Sequence, residues 1–371
     1  MIRIISRPPH DQFTFRLFFQ LLDTVSEPFD AFYVRSRTLA YGEADIYGDV
    51  YWNCIQSSIK NNVVILAIKG HLTSDEFNPW YHTEPALVTP LTDIFEAHAD
   101  KHFIIITSLE NLESYINYKN VTIIPWGGDI TNQMAGYKKL PNILEKNLES
   151  NTTFLTLNRT NKTNNLHFLS FLLGLNLRDS GLISCMFRDS LPSIPDYTWD
   201  FTSQTDIKAV FEVGYQTLLT TTLDILDIHL KTDNDNVLST LTPYYQNTFI
   251  EFINEASYTE TAFLVTEKTA NCFYGCSFPI WISSPGIVTF LRTLGLDVFD
   301  DIIDHSYDNE PHPIRRMYLA ISNNMHLLNN PDLVKTLWVT HKDRFSKNID
   351  FLQNELYDIY RQRALTQFIN R

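Results

Sequence analysis

Three short apolar runs, Val63–Lys69, His102–Thr107 and Val121–Pro125, are bounded by polar turns and separated by stretches patterned as helices, such as Pro90–His98. Runs of this length, rich in Val, Ile, Leu and Phe and little broken by polar residues, read as strands buried on both faces. Strands of that kind, spaced by helices, pair parallel and carry the helices on the faces of the sheet. The chain opens the same way: Ile2–Ser6 reads as a strand, Arg7–Asp11 as a turn and Phe13–Leu22 as an amphipathic helix.

The pattern restarts after the polar segment Tyr137–Asn151. Thr153–Leu157 reads as a strand, Asn158–Asn165 as a polar loop and Leu166–Leu177 as a helix. Further strands are expected at Gly181–Phe187, Phe249–Asn254, Phe263–Val265 and Phe278–Ile282, with a helix at Ile207–Leu219 and a solvated loop at Thr232–Asn236. Helical patterning then dominates: Pro285–Leu294, Arg315–Leu328, Pro331–Thr340 and Phe345–Ile369. A chain of 371 residues exceeds what one core usually supports, and 44% apolar residues can fill two. The expected architecture is α/β, with two Rossmann-like domains facing a cleft and a helical C-terminal tail. The domains are placed at residues 1–145 and 150–330, and the helices of 331–371 fold back onto the first.

The formal charge of −14 disfavours broad affinity for nucleic acid or an anionic membrane. No apolar run reaches the length of a membrane span, and the opening residues are too short for a secretory signal, so a cytoplasmic protein is expected. Four scattered cysteines make no disulfide framework; Cys272 and Cys276 read as core thiols, and no metal site is expected. The glycine fingerprints of dinucleotide and P-loop sites are absent. Asp300, Asp301, Asp304 and Asp308 read as a solvated acidic face.

Thr266-Glu267-Lys268 places a carboxylate and an ammonium where a helix begins, beside backbone N–H groups that favour an anion. A carboxylate accepts from ribose hydroxyls and a lysine neutralises a diphosphate, so the pair suits a nucleotide carrying a sugar. A helix capped by Thr266, with Glu267 answering the dipole, accounts for the same residues without a ligand. Asn158 and Arg159 end the first strand of the second domain, where parallel sheets bind ligands, and Arg159 is suited to clamp a diphosphate. Lys162, in the same polar loop, reads as a surface lysine. Glu255 ends another strand and can hold a sugar or ribose hydroxyl; Tyr258 can stack on a base. Candidates for a general base lie in the first domain: His10 and Asp11 in its first turn, and Asp129 after Val121–Pro125, each also readable as a cap or turn residue. The aromatic and acidic segment Tyr41–Trp52 suits a sugar acceptor, or is a packed surface loop.

Phe263–Lys268, Phe278–Ile280, Ser284-Pro-Gly286, Phe290–Leu294, Phe299–Ile303 and His305–Asp308 follow one another in an order that resembles glycosyltransferases of a phage and bacterial type. They look like the donor half of a GT-B fold, and Thr266-Glu267-Lys268 is similar to the C-terminal motif of α-1,3-fucosyltransferases. The resemblance reaches upstream to Phe154–Arg159 and Gly174–Ser184, covering roughly residues 150–310, and departs where Thr269-Ala-Asn-Cys272 replaces a basic, proline-containing turn. It implies that Glu267 meets the donor ribose and Lys268 its phosphates. It also implies metal-independent transfer of a sugar from a nucleoside-diphosphate sugar to a hydroxyl acceptor, with the nucleotide sugar as substrate and no further cofactor. A hydroxylated base of phage DNA, in a host cytoplasm, stays open as the acceptor, and so does a non-catalytic nucleotide-sugar-binding protein.

Overall fold

The structure is a computed structural model and describes residues 2–4, 27–35, 55–69, 88–107, 109–114, 116–127, 130, 144–158, 163–185, 205–220, 234–255 and 264–369. Its strands are β1 (Ile2–Ile4), β2 (Phe29–Arg35), β3 (Val63–Lys69), β4 (His102–Thr107), β5 (Val121–Pro125), β6 (Phe154–Asn158), β7 (Gly181–Cys185), β8 (Ile250–Asn254) and β9 (Phe278–Ile282). Its helices are α1 (Val88–Ala97), α2 (Thr163–Gly174), α3 (Thr205–Thr220), α4 (Asn234–Gln246), α5 (Glu267–Tyr274), α6 (Ile287–Leu294), α7 (Pro313–Ser322), α8 (Met325–Leu328), α9 (Pro331–Asn354) and α10 (Leu356–Ile369). Contacts divide the chain into unit 1 (Met1–Asn132, Thr261–Val265 and Glu355–Arg371) and unit 2 (Gln133–Glu260 and Thr266–Asn354). Among the described residues no helix is long and apolar enough to cross a membrane.

Unit 1 is a five-stranded parallel sheet in the order β1-β2-β3-β4-β5. Each described strand lies beside the one before it in sequence, so the order never reverses. Alternate residues serve opposite faces. Phe32, Val64, Leu66, Phe103 and Ile105 pack with Leu91, Ile94 and Phe95 of α1 and with Leu264. The other face, from Ile124 and Trp126, meets α10, whose Tyr357 and Tyr360 lie against Trp126 and Gly127. The sequence reading did not mark β2, because Asp30 interrupts its apolar run. That carboxylate accepts from the backbone N–H of Lys60 and of Asn61, each at 2.7 Å, which makes its burial tolerable.

Unit 2 is a four-stranded parallel sheet in the order β7-β6-β8-β9. The chain steps outward from β6 to β7, then crosses to the far side of β6 for β8 and β9, which is a doubly wound arrangement. Pro279 lacks a donor N–H and sits in β9, an edge strand, where that is tolerated. Helices α2 and α3 approach closely at glycines: a Cβ on Gly214 would lie 1.6 Å from the Ser170 carbonyl oxygen, and one on Gly174 would lie 2.1 Å from that of Val210. Buried Lys146 donates to the carbonyls of Tyr245 and Gly275, each at 2.6 Å, and so ties down the C-terminal ends of α4 and α5. Its burial pushes the ammonium pKa down to about 8.

Several expectations are corrected. Leu264 and Val265 are buried but form no strand, since Leu264 satisfies its hydrophobicity by packing into the unit 1 core rather than in a ladder. Asn234–Asn236, expected in a loop, begin α4. The helices expected to break near residue 341 are one helix, α9, through Asn354.

Asp300, Asp301 and Asp304 are exposed, as expected, but the fourth member of the acidic group is not. Asp308 is buried, and its carboxylate accepts from the N–H groups of Val288 and Thr289 at 3.1 and 3.0 Å, capping α6. Asp301, with Asp297, grips Arg344, and Asp300 pairs with Arg292 and His305. The arginines and the helix dipole supply partners that a linear sequence does not display.

Candidate functional site at the carboxyl ends of the four-stranded sheet

Where strand order reverses, the connections leave in opposite directions, and the carboxyl ends of the strands there form the usual binding crevice of an open α/β sheet. In unit 2 that point lies between β6 and β8. Both strands end on asparagine, and the pairing of Phe154 with Ile250 sets Asn158 level with Asn254. Asn158 is fully buried. Its amide donates to the Thr156 hydroxyl and the Ser184 carbonyl, both at 3.1 Å, and its oxygen accepts from Asn254 at 2.7 Å. This one side chain ties together β7, β6 and β8, so its polar capacity is turned inward.

Three other polar atoms at this edge are buried without a partner: Oδ1 of Asn254, Oδ1 of Asn164 in the first turn of α2, and Oγ of Ser284 just beyond β9. The Asn164 amide donates to the Glu255 carbonyl at 3.4 Å, and the Arg316 guanidinium holds the Ser283 carbonyl at 2.9 Å, which positions the turn carrying Ser284. An unpaired buried polar atom costs about 1–3 kcal/mol, so three together make an edge that a hydrogen-bonding ligand would stabilise.

Glu255 follows β8, and its carboxylate is fully buried. It accepts from the N–H of Thr266 at 3.2 Å, the hydroxyl of Thr269 at 2.9 Å and the hydroxyl of Thr266. The Lys268 ammonium stands 3.9 Å away. Burial raises the Glu255 pKa, against the opposing pull of Lys268 and the hydroxyls. Thr266 is the N-cap of α5: its hydroxyl accepts from the Lys268 N–H at 3.3 Å. Glu267 is half-buried in the first turn of α5, and the Lys268 side chain is 36% exposed.

The structure therefore brings Glu255, Thr266 and Lys268 into one cluster, with Glu267 on the same helix turn and Asn158 on the neighbouring strand end. Glu255, read as a contact for a sugar hydroxyl, spends both oxygens on the start of α5. Arg159, Tyr258, His10, Asp11, Asp129, Lys162 and Tyr41–Trp52 lie outside the described residues. Asn164, Asn254, Thr269 and Ser284 were missed; the readable signal was the shared ending of Phe-Leu-Thr-Leu-Asn158 and Ile-Glu-Phe-Ile-Asn254.

A separate open pocket of about 500 Å³ runs beside α6, lined in part by Arg292, Asp300, Asp304, His305 and Asp308. Asp300 and Asp308 are engaged as described above, and Asp304 accepts from the Ser306 N–H at 2.8 Å. Among the described residues no group of three or more His, Cys, Asp or Glu side chains is arranged to hold a metal ion. Comparison with protein-family models and with curated proteins gives no match, so the reading of this site rests on its own residues.

Proposed function

We infer that unit 2 binds a nucleoside-diphosphate sugar at the carboxyl ends of β6, β8 and β9, and that the protein is a glycosyltransferase. The observation that carries this reading is the set of three buried, unpartnered polar atoms of Asn164, Asn254 and Ser284 beside the reversal of strand order. Uncharged amide and hydroxyl groups suit the hydroxyls of a ribose or sugar, and Lys268 and the first turn of α5 suit the diphosphate. In the transfer, the acceptor oxygen attacks the anomeric carbon and the bond from that carbon to the diphosphate oxygen breaks. The electron pair leaves with the diphosphate, which fixed positive charge stabilises. The acceptor proton passes to a base, for which His10, Asp11 and Asp129 are the candidates.

A panel of UDP-, GDP-, dTDP- and CMP-linked sugars tests the reading by nucleotide release and by thermal shift on the same samples. Release from one donor supports the transferase and names its sugar; neither release nor stabilisation by any donor rejects it. Stabilisation without release supports a second reading, a nucleotide-sugar-binding protein. That reading is favoured by the Lys268–Glu255 ion pair, which already engages the ammonium a departing diphosphate would need.

A further inference from the structure

Glu255 is held at the start of α5 by donors whose directions are fixed. The Thr266 hydroxyl accepts from the backbone N–H and from the ammonium of Lys268, both at 3.3 Å, so its own hydrogen is left for the Glu255 carboxylate. The Thr269 hydroxyl accepts from the indole N–H of Trp281 at 3.0 Å, so its hydrogen also points to Glu255, at 2.9 Å. The N–H of Thr266 is a third donor, at 3.2 Å. Both oxygens of Glu255 accept, and the group is an ionised carboxylate although it is fully buried. An internal anion therefore already sits at the helix start that, in the function proposed above, draws the diphosphate.

Lys268 differs from the other partners of Glu255. Its side chain is 36% exposed, and its ammonium stands 3.9 Å from the carboxylate, beyond hydrogen-bond length. If the ammonium leaves for a ligand, a loose contact is lost while Glu255 keeps all three of its hydrogen bonds. Glu255 also adjoins the edge described above: its backbone carbonyl accepts from the Asn164 amide at 3.4 Å, and Asn164 carries one of the unpartnered buried oxygens.

We propose that Glu255 is an internal counter-anion that parks Lys268 against the start of α5, and that a phosphate-bearing ligand binds by drawing the ammonium away from it. This regulation rests on the donor-site reading of unit 2. Glu255 is then a positioning residue: ionised, it opposes anion binding, and once it takes up a proton it no longer competes for Lys268. Among the described residues the charged groups facing Glu255 are Lys268 and Glu267 on α5 and Glu251 on β8, which is itself held by the Tyr245 hydroxyl at 3.1 and 3.0 Å. Affinity for an anion should therefore rise as pH falls.

Sulfate is the probe, because it does not titrate near neutral pH, whereas a terminal phosphate does. NMR titration of the full chain with sulfate at constant ionic strength, followed at the amides that begin α5, is expected to show binding that tightens from about pH 8 to about pH 5. Glu255→Gln should bind sulfate about two- to fivefold more tightly than the parent at the alkaline end, the scale of an ion pair open to water on one side, and should lose most of the pH dependence. Glu267→Gln should retain it. In a sulfate-soaked crystal the Lys268 ammonium should lie on the sulfate and no longer face Glu255, and that observation keeps the test decisive if Glu255→Gln does not fold. Equal affinity of Glu255→Gln and the parent overturns the proposal. So does a pH slope that disappears in Glu267→Gln, or a sulfate complex with Lys268 still paired to Glu255. UDP titrated into the same samples separates this failure from that of the donor site. UDP binding that Lys268→Ala weakens upholds the donor site even where Glu255→Gln changes nothing, whereas no UDP binding to the parent or to Glu255→Gln rejects both.

Discussion

Asn158 accepts a 2.7 Å hydrogen bond from Asn254 across the point where the strand order of unit 2 reverses, and the same asparagine donates to Thr156 and Ser184. One buried amide thus sets the relative position of three strand ends. Asn158→Ala would leave those three groups unpaired in the interior. The expected loss is about 2–4 kcal/mol in urea denaturation; a loss below about 1 kcal/mol would mean that water or neighbouring groups replace the amide.

In the proposed function Lys268 neutralises a diphosphate at the start of α5. Lys268→Ala should weaken nucleoside-diphosphate binding by roughly tenfold or more, the scale of one charge-assisted hydrogen bond. Isothermal titration of the parent and the variant checks this, and equal affinities would remove Lys268 from the site. Far-UV circular dichroism should show the variant folded, since the side chain is over a third exposed.

Asp308 caps α6 from outside the helix. Asp308→Ala strips Val288 and Thr289 of their acceptor, and its expected cost is about 2 kcal/mol. Asp308→Asn retains one acceptor oxygen and should recover part of the loss; chemical denaturation of the two variants side by side provides the comparison.

Gly214 and Gly286 should respond differently to alanine. At Gly214 a Cβ collides with the backbone of α2, so Gly214→Ala should cost about 3 kcal/mol or prevent folding. At Gly286 nothing lies within 4 Å and φ is +85°, so only backbone strain of about 1–2 kcal/mol opposes the change. Melting curves of the two variants would show the order.

Burial pushes the Glu110 pKa up to about 7, against the pull of Arg363 and from an ordinary value of 4.5. The folded state therefore holds the proton more tightly than the unfolded one. This contribution to stability is fully present below pH 4.5 and is lost as pH rises through 7. The separation corresponds to roughly 3 kcal/mol. Glu251, pushed up to about 8 by burial, acts in the same direction. Unfolding free energy measured in urea should fall between pH 5 and 8, and less steeply in Glu110→Gln. A Glu110→Gln profile parallel to that of the parent would assign the slope elsewhere.

The strands β3, β4, β5 and β9 lie where their apolar runs place them, because a strand buried on both faces writes a continuous hydrophobic segment between polar turns. The start of α5 was equally readable, since Thr266 caps it through a contact two residues away. Local pattern failed where a distant group decides the outcome. Asp30 is tolerated in β2 by the backbone of Lys60 and Asn61, and Asp308 is drawn inward by the amides of α6.

The sequence by itself determined the α/β class, most strand positions and the polar residues that end the strands of unit 2. Those are consequences of burial and of contacts within a few residues, which a linear pattern records. Only the tertiary structure decided the sequential strand order of unit 1, the reversed order of unit 2 and the pairing of buried Glu110 with Arg363 of α10. Each of these depends on which distant surfaces bury one another. That is set by the free energy of the whole packed core, and no local segment of the chain carries it.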